Sequence, residues 1–377
     1  YNCTTIKEIK LGGKVKKIGE NAFYNCNVKF NTYQNKDLKY LGNDENPYFA
    51  LIYTVNKNTL SINISPDTRV IADKAFYECY SLEQTALPQN LTAIGNYSFY
   101  KCNMMPKIFI PDSVTFLGEG CFLGNSAKKI TVGTGITEIP NCCFLNSKNL
   151  TELTIKGNII SIGDSAFYNC DNITSFTIPN SVKTLGVNAF NDCDKLETIN
   201  YSGALDEWVE IKGLQAVTKL NNLKKLLING SEITNNINLS ATVINDYAFY
   251  NNQTITNLTL SDSVKEIGEF CFSGCKNLSY VTFGGEITTI SANAFNDCSA
   301  LKSLSIETGI LEIKEKAFYN CVGLTNLKMG DKVKIIGNNA FENCSSLENI
   351  IFGANVESLG NECFKNCVAL PNLNIGD

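Results

Sequence analysis

Thirteen phenylalanines recur along this chain at a nearly fixed interval, and that interval limits what the chain can fold into. Phe23, Phe76, Phe99, Phe122, Phe144, Phe167, Phe190, Phe249, Phe272, Phe295, Phe318, Phe341 and Phe364 are separated by 53, 23, 23, 22, 23, 23, 59, 23, 23, 23, 23 and 23 residues. A period of roughly 20–50 residues, sustained this long, belongs to a solenoid, a propeller or an array. The pentapeptide Ala-Phe-Tyr-Asn-Cys, at 22–26, 166–170 and 317–321, follows the same count with extra residues between copies.

The unit 167–189 shows the inner pattern, with Phe167 as position zero. Apolar residues follow at Ile173, Phe176, Ile178, Val182, Leu185 and Ala189. The Phe176/Ile178 pair alternates with period two and predicts a short strand with those side chains inward. Val182 and Leu185, before Gly186, predict a second extended segment and a turn. Gly163-Asp-Ser-Ala-Phe167 predicts one helical or 3₁₀ turn. A single coil of this kind cannot bury its own apolar faces. Stacking copies in parallel, ~4.8 Å per rung, makes each phase a buried column.

The string Ile-Thr-Ser-Phe-Thr-Ile-Pro-Asn-Ser-Val-Lys-Thr-Leu-Gly-Val-Asn-Ala-Phe-Asn-Asp-Cys at 173–193 closely resembles the BspA-like leucine-rich repeats of bacterial surface proteins. The resemblance covers nearly the whole of 1–377 and implies one leucine-rich repeat solenoid, α/β and β-rich. It implies a curved, right-handed stack of about 15–16 coils, with parallel strands on the concave face and short extended, 3₁₀ or helical turns elsewhere. Both ends fall inside the repeat pattern, so the chain reads as a segment of a longer protein.

Two stretches break the frame. Residues 30–61 do not fit it, although the alternation in Tyr48–Val55 suggests an extra strand or hairpin. Residues 201–236 hold a predicted amphipathic helix around Trp208, the only tryptophan, and a hairpin closing at Asn229-Gly230. Inserts in solenoids map to one face and can carry binding; equally, they can only cover a bend or an edge.

Composition excludes several functions. The chain has no histidine, which removes Ser-His-Asp and Cys-His nucleophile pairs and the commonest metal ligand. A net charge of −5 with only short lysine runs gives no nucleic-acid footprint. No apolar run approaches the ~18–20 residues that span a bilayer. Sixteen cysteines suggest disulfides in an exported protein, but eleven lie three residues after a Phe or its equivalent frame position, Cys3 included. Residues in one phase stack with parallel Cβ vectors about a rung apart, whereas a disulfide needs Cβ atoms ~3.8 Å apart and converging. The expectation is a column of unbridged thiols, with Asn125, Ser147 and Asn252 serving the same turn at other rungs. Zinc is excluded by distance: Cys271/Cys275 and Cys363/Cys367 have the right local spacing but lie four rungs, ~19 Å, apart.

Outward positions on the first strand are mostly small and polar, as in Glu152, Thr154, Lys156, Ser175 and Thr177. Phe109, Tyr280 and Ile351 are the apolar exceptions, and with Trp208 they form the candidate ligand-binding set; the bland reading is scattered surface residues. No paired carboxylates, phosphate loop, metal set or cofactor motif stands out, so no enzyme is predicted and no cofactor. The resemblance implies a secreted or cell-surface adhesion module contacting a host or cell-surface protein or glycan. A structural spacer presenting another domain is the alternative.

Overall fold

The computed structural model describes residues 3–375 except Tyr24 and Thr308. The chain divides into two compact units, Tyr1–Thr198 and Ile199–Asp377, described separately. Together they hold about 13 turns of about 23 residues, of parallel strand with almost no helix. That is fewer than chain length divided by the period gives, because both inserts use chain without adding regular turns.

In the first unit, Lys107–Ile110, Lys129–Val132 and Glu152–Ile155 form a parallel sheet with Lys107, Lys129 and Glu152 in register. In the second, Ser303–Ile306, Asn326–Met329 and Asn349–Ile351 do the same. Each register step equals one sequence period, so like residues face like. Along Ser303–Ile306 and Asn326–Met329 the side chains alternate exposed and buried, as a half-buried strand requires. The second extended segments of each coil pair into their own ladders, the longest running from Val243–Ile244 to Ser358–Leu359.

The segment around each Phe is neither α nor 3₁₀ helix. The residues two before and two after every anchor sit in the left-handed region, for example Ser165 (φ 52°) and Asn169 (φ 58°) around Phe167. This alternation turns the N–H groups at −2, 0 and +2 all along the stack. Ser165 N, Phe167 N and Asn169 N donate to Val187 O, Ala189 O and Asn191 O of the next coil at 2.9, 2.8 and 2.9 Å. Every anchor turn therefore has an N–H rim and a C=O rim. Asp or Asn at −3 adds a side-chain rung: Asp164 Oδ1 accepts from Val187 N at 2.7 Å. The coils approach so closely that a Cβ on Gly186 would lie 2.4 Å from Asp164 N.

Left-handed backbone costs a non-glycine residue about 1 kcal/mol. At +2 the chain mostly answers with Asn, Asp or Gly, but at −2 it places Tyr97, Phe270 and Lys316. The Lys316→Gly substitution relieves that strain but frees the unfolded chain by about 0.4–1 kcal/mol, so a net stabilisation of about 0.5 kcal/mol at most is expected in denaturant melts. Asn320→Val, a β-branched residue forced to φ 58°, should destabilise it by more than that. Equal melting of both variants and the parent would contradict this backbone assignment.

Inside the turns the anchors form two columns of stacked rings. Phe76 through Phe190 in the first unit are fully or almost fully buried, with successive centroids 5.0–5.8 Å apart. Phe249 through Phe341 in the second repeat this at 5.2–5.4 Å. Three residues on, the thiols turn to the preceding coil. Cys170, Cys193 and Cys298 Sγ donate to the carbonyls of Phe144, Phe167 and Phe272 at 3.4, 3.1 and 3.3 Å. At a rung without cysteine, Ser147 Oγ donates to Phe144 O at 2.6 Å. No disulfide joins any of the sixteen cysteines. Cys142, out of phase in the sequence, occupies a left-handed −2 position (φ 55°) and is half-buried.

The inserts replace missing anchor turns. In the first, Asn35–Leu41 pairs antiparallel with Asn31–Tyr33 and with Ala50–Thr54, which continues into the parallel ladder through Val70–Ile71. Thr54 N donates to Ala75 O at 3.1 Å, the bond an anchor N–H would make. In the second, Leu205–Val209 is helical, Gln215–Thr218 adds a helical turn, and Lys225–Ile228 pairs with Ser231–Glu232. Asn229 and Gly230 close that hairpin with φ of 49° and 77°, the geometry of a type I′ turn.

Candidate functional site

The four candidate residues have different fates. Trp208 is fully buried, 5.7 Å from the Tyr201 ring, and its Nε1 donates to Ala248 O at 3.0 Å. That carbonyl is the one an anchor Phe N–H takes in a regular coil. Trp208 thus stands in for the missing anchor and offers nothing to a ligand, which corrects the expectation from sequence. A lone tryptophan in an insert has an interface reading and a core reading. Here the gap in the Phe column supplies a large apolar site with an unpaired acceptor, and the indole satisfies both.

Phe109, Tyr280 and Ile351 are 43%, 58% and 59% exposed. The structure does not bring them together. Phe109 lies on Lys107–Ile110 in the first unit, and Tyr280 and Ile351 on two different sheets of the second. Phe109 has the richest surroundings. Lys156 Nζ sits 5.2 Å from its ring centroid, and a cavity of about 180 Å³ opens beside it, with Ala86, Met105 and Lys107 on its wall. Polar neighbours on these strand faces pair along the register, as in Asn349 Nδ2 to Asn326 Oδ1 at 3.1 Å and Lys129 Nζ to Glu152 at 2.9 Å.

Two larger cavities coincide with the two breaks in the anchor columns. One, about 480 Å³, lies in the first unit among Phe23, Phe30, Tyr53, Lys57, Lys74 and Tyr77. The other, about 510 Å³, lies in the second unit among Lys219, Lys225, Glu232, Tyr250, Asn251 and Gln253. The sequence signal for both is the pair of 53- and 59-residue gaps, since a period without its Phe leaves a column site to be filled otherwise.

The thiols buried in the anchor columns are held in their neutral form. Burial pushes Cys79 up to about 11 and Cys275 up to about 12, so the neutral form is held far above physiological pH. Among the described residues, no group of three or more His, Cys, Asp or Glu side chains is placed to hold a metal ion. No helix among them is long and apolar enough to cross a membrane.

The sequence matches the BspA type leucine-rich repeat region in six copies, over residues 1–65, 69–197 and 242–371. No curated protein matches it. Among solved structures it resembles a leucine-rich cell surface protein from Faecalibacterium prausnitzii, 23% identical, with TM-score 0.49, covering 87% of this chain and 98% of that one. It also resembles a leucine-rich repeat protein from Bacteroides ovatus, 20% identical, with TM-score 0.44 and coverage of 83% and 85%. The pneumococcal vaccine antigen PcpA is 16% identical, with TM-score 0.40 and coverage of 85% and 87%. With the 23-residue frame, the parallel ladders and the family match over most of its length, this chain belongs to the BspA-type leucine-rich repeat family.

Proposed function

We propose that this chain is a secreted or cell-surface, non-enzymatic binding module that recognises a protein or glycan through its strand faces or inserts. The observation that carries this reading is the division of labour in each coil. Core positions hold a constant set of apolar groups, while the outward positions of the same strands vary and include exposed Phe109 and Tyr280. A rigid frame with variable outward groups is how solenoids present an extended recognition surface. The buried thiols belong to the frame, as a structural column and not as reactive groups. The surface-protein name of the Faecalibacterium relative supports the location.

Screening the protein on an array of glycans and matrix proteins tests this. We expect a saturable partner whose affinity drops about tenfold or more on Phe109→Ser or Tyr280→Ser, in keeping with loss of an aromatic anchor of about 1.4 kcal/mol or more. Silence across the array would favour the alternative, a spacer that holds another domain away from the surface.

A further inference from the structure

The cavity at the first break in the anchor column is built asymmetrically. Phe23 is only half-buried, whereas Phe76 is fully buried. Its coil has the regular left-handed residues, Asn21 (φ 59°) and Asn25 (φ 53°), so its N–H rim points along the stack as elsewhere. The following coil is the irregular insert. Asn21 N and Phe23 N accordingly find no acceptor among the described residues, and neither do Asn188 N and Phe190 N before the second insert, while in coils followed by a regular coil the equivalent groups each donate to a carbonyl. Across the cavity the C=O rim of the Phe76 coil keeps one partner, Thr54 N on Ala75 O. The flanking carbonyls of Asp73 and Tyr77 accept no bond from any described residue.

Side chains complete the site. Lys74 is paired with Glu20 at 2.5 Å, and the Asp73 carboxylate accepts from Asn96 N at 2.7 Å and from Asn96 Nδ2. Lys57 is exposed, 5.7 Å from the Tyr77 ring centroid, and among the described residues it has no carboxylate within ion-pair distance. Phe30 and Tyr53 meet edge to face at 5.3 Å and, with Phe23, give an apolar wall. The volume, about 480 Å³, is in the range that takes small ligands.

One wall presents two backbone donors, the other presents carbonyl acceptors with Lys57 beside Tyr77, and an aromatic edge lies between. We infer that this cavity binds a sugar acid: the carboxylate on Lys57, the hydroxyls on Asn21 N, Phe23 N and the Asp73 and Tyr77 carbonyls, and the pyranose against Phe30 and Tyr53. Hydroxyls both donate and accept, so they match the two rims, and the lysine gives the carboxylate a charge-assisted bond. A neutral sugar leaves the charge of the lysine uncompensated. A simple carboxylate leaves the acceptors and the aromatic wall unused. The inference rests on the binding-module reading and gives it a ligand class.

Calorimetric titration with methyl β-glucuronide, methyl β-glucoside, sodium acetate and an acidic pentapeptide tests it. The expected result is saturable binding of the glucuronide in the millimolar range, about tenfold tighter than the glucoside or acetate. Lys57→Ala should weaken the glucuronide about tenfold and leave the glucoside unchanged, with an unaltered melting temperature because the side chain is exposed. Lys57→Arg should retain binding. No glucuronide binding, equal binding of glucoside or acetate, tighter binding of the peptide, or indifference to Lys57→Ala would each overturn the assignment. A partner found on the array in any of those cases leaves the broader module reading standing, so the two failures are distinguishable.

Discussion

Between pH 8 and pH 10, in the presence of a phosphine reductant, the melting temperature of this protein should fall steeply. Cysteine in an unfolded chain ionises near 8.5. In the second unit Cys271, Cys275, Cys298 and Cys321 are all fully buried, and burial raises each above its ordinary value, Cys275 to about 12. The folded state therefore holds protons that the unfolded state releases. For a group whose folded pKa is raised, the contribution to stability is complete below the unfolded pKa and is lost as pH climbs towards the folded one. Above about pH 9 each such thiol removes about 1.4 kcal/mol per pH unit, and four remove about 5.6 kcal/mol per unit. Domains have only about 5–15 kcal/mol to lose. The control is a triple Cys275→Ser, Cys298→Ser, Cys321→Ser variant. Ser147 shows that this column accepts a hydroxyl, which there donates to the Phe carbonyl of its own coil. Serine does not titrate here, so the alkaline limb should flatten by about 4 kcal/mol per unit. An alkaline slope indifferent to the three substitutions would refute burial of the thiols as its cause. Native alkylation at pH 8 gives a parallel check: Cys3, Cys26 and Cys142, the three cysteines that are not buried, should label first.

The Phe295→Ala substitution should cost about 3–5 kcal/mol. The ring is fully buried, with Phe272 and Phe318 stacked on its two faces at 5.2 and 5.3 Å and Phe283 edge-on at 5.8 Å. Its loss leaves a void that three rings border and that backbone bonds between coils keep from closing. Phe364 offers the comparison. It is half-buried, stacking on Phe341 at 5.5 Å and meeting Phe352 edge-on at 5.8 Å. In a quasi-one-dimensional stack a residue answers only to its neighbours. Phe364→Ala should therefore cost about 1–2 kcal/mol. Denaturant unfolding of the two variants measures the difference, and equal losses would contradict the column.

How far these features can be read from sequence depends on their range. The period, the strand pairs such as Phe176/Ile178, and the phase of the cysteines are local and repeat many times, so each copy checks the others. The left-handed pairs are legible at +2, where Asn146, Asn169, Asn320 and Asn343 recur, but hidden at −2 behind Tyr97, Phe270 and Lys316. Those residues accept the strain because three hydrogen bonds between coils over-determine the turn, and nothing in a single coil reveals that. The Asp73–Asn96 and Asp164–Val187 rungs are similar: each is one residue bonding a neighbour one period away. Trp208 misleads for a related reason. Its burial depends on a vacancy in a column formed by other coils, not on its own helix. The cavity near Lys57 combines both cases, since its donors belong to a regular turn and its openness to an irregular one.

The anchor turn also says how such a chain can change length. Since the N–H groups at −2, 0 and +2 of each turn meet carbonyls at −3, −1 and +1 of the next, any two regular turns are interchangeable partners. A copy of one whole period, spliced in frame, meets a matching rim on either side without further mutation. A fragment of half a period would leave a rim without its partner, as the inserts behind the 53- and 59-residue gaps do. Whole periods are therefore the lengths that such a stack gains or loses at least cost.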